Sequence, residues 1–153
     1  MIFKNNIRLL FSLCVSLILT QCTDKNRSVL EFPKNRWYQA DVLSLNYNNL
    51  SVNNVGNIIL EMNYVYGFQF SEIPLEVYIT SPSNQITKIS YSLKLIDENL
   101  NELGDCVGDY CDLSAVIINN YNFSENGIYK IKVLNTFDNA YLPNIFSLSA
   151  EVK

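Results

Sequence analysis

The chain has 153 residues, 48% of them hydrophobic and 17% charged, with a formal net charge of -4; that is apolar material for one folded domain and too much for a disordered chain. With His 0 it lacks the Ser/His/Asp triad, the Cys/His dyad and His-ligated zinc, so most small-enzyme chemistry loses its usual groups. A sequence pI near 4.7 argues against nucleic acid as a partner, because phosphate neutralisation needs clustered Lys and Arg.

Residues 1–21 read as a secretory signal: Lys4 and Arg8 precede the apolar stretch Leu9 to Leu19, which is short for a membrane span. The stretch ends in Leu19-Thr20-Gln21-Cys22, similar to a bacterial lipobox, in which cleavage before Cys22 is coupled to lipid attachment at its thiol. Gln21 replaces the small residue usual at that position, a relaxation associated with Bacteroidetes lipoproteins. Polarity then jumps at Thr23-Asp24-Lys25-Asn26-Arg27, so residues 22–28 are expected to be a lipidated Cys and a polar tether, and residues 29–153 the folded domain. Two or more acyl chains on one Cys make a stable membrane anchor.

The domain reads as strands. Leu43, Leu45 and Tyr47 alternate with polar residues; Ile58, Leu60, Met62, Tyr64 and Tyr66 do so over a longer run. Leu75, Val77 and Ile79 lead to the turn Ser81-Pro82-Ser83-Asn84, after which Thr87, Ile89, Tyr91, Leu93 and Leu95 share one face. Leu113 to Ile118 is a short apolar run; Tyr129, Ile131 and Val133, then Phe146, Leu148, Ala150 and Val152, complete the set. About seven strands with polar outer faces predict an all-β, antiparallel β-sandwich of Ig-like or jelly-roll-like type. Tyr129, two residues past Gly127, suits a tyrosine corner, and Trp37 is expected to cap one end of the core. The scattered Asn residues read as compositional bias.

Chemistry concentrates between Asp97 and Asp112, a stretch rich in acids and free of Lys and Arg. Asp97, Asn99 and Asn101 imitate the opening of a calcium loop, but Glu102 stands where Gly is required and Gly108 where the bidentate Glu belongs. The alternatives are a solvated loop and an irregular calcium site at Asp105, Asp109 or Asp112. Cys106 and Cys111, with Gly108 between them, are expected to form a disulfide in an oxidising compartment; two Cys without His fall short of a zinc site, and the spacing is not that of a redox pair. No metal and no cofactor are expected beyond the covalent lipid on Cys22.

Read from Cys22, the succession Phe32-Pro33-Lys34-Asn35-Arg36-Trp37, then Asp41 and an alternating strand, resembles the gliding-motility lipoprotein GldH family of Bacteroidetes. The resemblance continues through Phe68-Gln69-Phe70-Ser71-Glu72-Ile73, through Leu103-Gly104 with Gly108-Asp109, and through Phe123 to Tyr129; Glu102, Cys106 and Leu100 depart from it, standing where Trp, Gly and Gly are usual. It implies a non-catalytic lipoprotein of the cell envelope, acting with other envelope proteins of the gliding and type IX secretion apparatus and offering an edge strand or the acidic loop to a partner. The rival readings are a lipid-anchored glycan- or metal-binding module using Trp37, Tyr110 and Tyr141, and a hydrolase using paired carboxylates.

Overall fold

Alternation of apolar and polar residues becomes alternation of buried and exposed side chains in the computed structural model, which describes residues 26–153. The expected signal peptide, the acylation site Cys22 and residues 23–25 of the tether lie outside the described residues. Eleven strands are described: β1 (Arg27–Glu31), β2 (Arg36–Tyr38), β3 (Leu43–Asn49), β4 (Asn54–Val65), β5 (Glu72–Thr80), β6 (Ile86–Lys94), β7 (Asp105–Val107), β8 (Tyr110–Phe123), β9 (Gly127–Asn135), β10 (Tyr141–Pro143) and β11 (Ile145–Val152). The named pairings are antiparallel, and no helix occurs among the described residues.

A five-stranded sheet in the order β1-β11-β4-β8-β7 faces a four-stranded sheet in the order β3-β9-β5-β6, and a small β10-β2 ribbon closes one end. Between the sheets lie Ile58, Leu60, Met62 and Tyr64 of β4, Leu148, Ala150 and Val152 of β11, and Ile73, Leu75, Val77 and Ile79 of β5, all buried in one core. Sheet twist and interdigitating side chains of this kind define a sandwich. Trp37 is fully buried at the ribbon end, stacks on Phe32 and donates from Nε1 to the Asp41 carbonyl at 2.9 Å.

Several boundaries differ from the periodicity. The polar composition assigns Arg27 and Ser28 to the tether, yet both belong to β1 and pair with Glu151 and Ala150 of β11. Tyr66 lies beyond the end of β4 and is exposed. The apolar run 113–118 is the middle of a 14-residue strand. A register shift opposite Ile58 and Ile59 makes neighbouring Ile117 and Ile118 both buried, as a bulge does when it inserts one residue. Thr87 is exposed and Ile89 and Tyr91 are only half-buried, because β6 is an edge strand whose inner face is covered on one side alone.

The sandwich has two distinct ends. At one, β1 begins and β11 finishes, alongside the β3–β4, β5–β6 and β8–β9 turns. At the other lie the β10-β2 ribbon, the segment joining β4 to β5, and the acidic stretch 97–112. Tyr129 sits on β9 next to the β8–β9 turn, where its hydroxyl accepts the Glu125 N–H at 2.9 Å, a tyrosine-corner contact four residues upstream.

Candidate functional site

The acidic stretch is half loop and half hairpin. In the loop, Asp97 bends the chain onto its own carboxylate: Oδ1 accepts the Asn99 and Asn101 N–H groups, both at 2.8 Å. These bonds, the backbone N–H of Asn101 foremost, hold the carboxyl below its ordinary range. Glu102 reaches back to the strand end, its Oε2 accepting the Tyr64 hydroxyl at 3.1 Å and its Oε1 the Gly67 N–H at 3.1 Å. Burial, then the Glu102 contact, pushes the Tyr64 hydroxyl well above its usual range. Gly104 makes room for that hydroxyl, since a Cβ there would stand 2.6 Å from Tyr64 Oη.

From Asp105 the chain forms the β7–β8 hairpin. Val107 pairs with Tyr110 across Gly108-Asp109, and Gly108 takes φ 62°, as the first central position of a two-residue type II′ turn requires. Cys106 and Cys111 are directly opposed, with Cα atoms 4.1 Å apart, and are joined by a disulfide on the inner side of the hairpin. Asp105 and Asp112 are therefore also opposed, on the outer side. Asp109 stands apart at the turn, its backbone carbonyl accepting the Tyr66 N–H at 3.0 Å.

Asp105 and Asp112 end a groove of about 410 Å³ on the outer face of the five-stranded sheet, whose other polar lining comes from Arg27, Glu61, Asn63 and Ser114. Arg27 Nη2 and Glu61 Oε2 form an ion pair at 2.5 Å, and Ser149 Oγ donates to the same oxygen at 3.1 Å. Asn63 accepts from Ser147 at 2.5 Å and donates to Asp112. A row of hydrogen bonds thus crosses β11, β4 and β8 and ends on Asp112, which Asp105 faces across the hairpin. Such a face suits a cationic or donor-rich partner.

Sequence periodicity misses Glu102 and Arg27. The first looks like one more acid in a run, because its partners Tyr64 and Gly67 are distant in sequence; the second is hidden by a polar flank, although Arg27, Val29 and Glu31 share the outer face by simple alternation. Trp37 is fully buried and cannot serve as a sugar platform. Tyr110 is exposed and packs on Phe146, whereas Tyr141 packs on Tyr38 and lies under Arg36, with 4.6 Å between the guanidinium and the ring centre. Among the described residues, no cluster of three or more His, Cys, Asp or Glu is arranged to hold a metal ion.

A model of the GldH lipoprotein family matches residues 26–150. No curated protein matches the chain. Among solved structures, the EclA C-terminal domain, described as a sugar-binding protein, is 11% identical, with 89% of this chain and 83% of that one covered and a TM-score of 0.42. A family 35 carbohydrate-binding module from Clostridium thermocellum is 15% identical over 80% of this chain and 86% of that one, with a TM-score of 0.37. The CBM36-1 domain of a multidomain xylanase from the hindgut metagenome of Trinervitermes trinervoides is 11% identical over 80% and 83%, with a TM-score of 0.37. These likenesses concern the fold alone.

Proposed function

The chain belongs to the GldH lipoprotein family, and from that premise we propose that it is a lipid-anchored, non-catalytic component of the gliding-motility and type IX secretion machinery of the cell envelope, presenting its acidic hairpin to a basic partner. Cys22 carries the lipid in this reading. The observation that supports the contact surface is the opposition of Asp105 and Asp112 on a disulfide-locked hairpin, at the end of the sandwich away from where the chain enters from Cys22. Two like charges side by side steer a cationic partner at long range and raise the cost of a wrong one. A hairpin held by a cross-link loses little freedom when it docks.

Deleting the gene abolishes or strongly impairs gliding and cargo secretion in this reading. The combined substitutions Asp105→Asn, Asp109→Asn and Asp112→Asn leave the fold intact and impair both processes less severely. Normal motility and secretion in the deletion strain would remove the machinery role. A deletion phenotype that the triple variant lacks would move the contact surface elsewhere. Metabolic labelling with a clickable fatty acid checks the anchor: Cys22→Ala protein takes up no label and leaves the membrane fraction.

A further inference from the structure

The end of the sandwich where β1 begins exposes five aliphatic side chains: Leu50 and Val52 in the β3–β4 turn, Val55 at the start of β4, Ile86 at the start of β6 and Ile128 at the start of β9, each between 55% and 78% exposed. They belong to one rigid end. The amide Nδ2 of buried Asn49 lies 2.6, 3.1 and 2.7 Å from the carbonyls of Ser51, Phe123 and Glu125; Asn126 donates to the Leu50 carbonyl at 2.9 Å; and Ser83 bonds Glu125 from the third turn. Charge at this end is mostly paired, and its one side-chain carboxylate without an ion-pair partner among the described residues, Glu125, is held by Ser83 donors. Arg27 engages Glu61, Lys153 lies 2.5 Å from Glu151, and Glu125 accepts both the Ser83 N–H and its hydroxyl.

We propose that this end is a membrane-docking surface: Leu50, Val52, Val55, Ile86 and Ile128 enter the headgroup region of the phospholipid bilayer that holds the lipid anchor. The inference rests on the anchored-lipoprotein reading. Chain length selects the occupant. From Cys22 to Arg27 the backbone spans five peptide units, at most about 18 Å, and β1 starts at this same end, so an acylated Cys22 keeps these turns within reach of the bilayer. Aliphatic side chains on a wet, tethered surface bind a bilayer in proportion to the area they bury. Leu100, Val107 and Tyr110 at the opposite end are also exposed, but they stand among the carboxylates of residues 97–112, whose desolvation a bilayer would oppose. Docking would turn the acidic hairpin away from the membrane.

The test uses full-length acylated protein in vesicles of phosphatidylethanolamine and phosphatidylglycerol, labelled at Val52→Cys or, separately, at Val107→Cys with an environment-sensitive fluorophore, the native disulfide kept oxidised. The label at 52 is expected to be blue-shifted and quenched at least about 3-fold more than the label at 107 by lipids carrying a spin-label quencher, and shielded from aqueous iodide. Adding Leu50→Ser, Val55→Ser and Ile128→Ser to the labelled Val52→Cys protein should abolish the difference while leaving it vesicle-bound. Vesicle-bound protein whose two labels are equally open to iodide overturns the docking surface and leaves the anchor standing. Shielding that depends on protein density rather than on the lipid quencher overturns it in favour of a contact between copies. Failure to partition into vesicles overturns the anchor and the docking surface together.

Discussion

The two ends of this sandwich solve the same problem with opposite chemistry. Each must turn several strands and satisfy the backbone groups that the sheets leave open. The end near β1 relies mainly on neutral amides: the Nδ2 of fully buried Asn49 is shared among three carbonyls and Asn126 holds a fourth, Glu125 being the carboxylate that caps the Ser83 N–H there. The far end uses carboxylates: Asp41 accepts the Tyr38 N–H, Asp97 accepts two more N–H groups and Glu102 a fourth. Amides that bond to carbonyls leave no charge behind, and aliphatic side chains can surround them. Carboxylates that cap N–H groups leave a negative surface that must face water or a basic partner. Turn chemistry thus divides the molecule into an apolar end and an acidic end before any partner is considered.

Asn49 is where this division breaks most severely. Asn49→Leu fills similar space but removes the two N–H donors shared among the carbonyls of Ser51, Phe123 and Glu125 and the acceptor of the Asn54 amide; leaving buried groups of this kind unsatisfied costs about 3 kcal/mol. The urea midpoint should fall accordingly, and amide exchange should accelerate around residues 50–54 and 124–127 while the β7–β8 hairpin keeps its protection. Uniform acceleration would show that the two ends are one cooperative unit.

At the far end the corresponding point is Gly104. Gly104→Ala places a Cβ 2.6 Å from Tyr64 Oη, and Tyr64 is itself fully buried, so the clash cannot be relieved outward; overpacking of this size costs about 2 kcal/mol. Adding Tyr64→Phe removes the clashing oxygen and should recover part of the loss. A double variant no better than Gly104→Ala would place the strain in the backbone instead.

These two residues differ in how readable they are. The sandwich is legible because an apolar–polar alternation allows only one face of each strand to be buried, which fixes β3, β4, β5 and β9 nearly residue by residue. Gly104 is legible only as a motif, since the hydroxyl it accommodates is forty positions away. Asn49 is masked by its polarity: alternation puts it in phase with Leu43, Leu45 and Tyr47 rather than with exposed Asn46 and Asn48, but nothing local names the carbonyls its amide meets. The scattered asparagines have a physical role that composition conceals: Asn35, Asn53, Asn84, Asn120 and Asn144 all take positive φ, supplying left-handed turn positions in a chain with only five Gly. The groove was not legible at all, because Arg27, Asn63 and Asp112 meet only through the strand order.

Acid should loosen both ends, for reasons that differ. Asp97 is held below the ordinary carboxylate range by the Asn101 and Asn99 donors, and Glu125 by the Ser83 hydroxyl first. On the sheet face between them, Lys88, then Tyr78, lowers Glu76. A folded pKa below the unfolded value stabilises above the usual carboxylate pKa of about 4 and is lost as pH falls through the lowered folded value. The urea midpoint should therefore decline below about pH 4, and Asp97→Asn or Glu125→Gln should each flatten part of that decline. A slope unchanged by either would assign acid sensitivity to other groups.

The smallest effect separates the ends by a single backbone angle. Leu100 takes φ 65° in the loop that Asp97 closes, the one non-Gly, non-Asn residue with positive φ among those described. Its side chain is exposed and contributes nothing to the core, so it has no packing to offset a left-handed strain of about 1–2 kcal/mol. Leu100→Gly removes the strain but adds freedom to the unfolded chain worth roughly 0.5–1 kcal/mol, leaving a net gain of about 0.5 kcal/mol. Leu100→Ala keeps a Cβ and should gain nothing. Asn53→Gly, at the opposite end with φ 57°, should also gain nothing, because Asn already tolerates that conformation. Thermal midpoints of the three variants decide the matter: a rise of about 2 °C for Leu100→Gly alone is expected, whereas an equal rise for Asn53→Gly would mean that both ends carry turn strain and that asparagine relieves none of it.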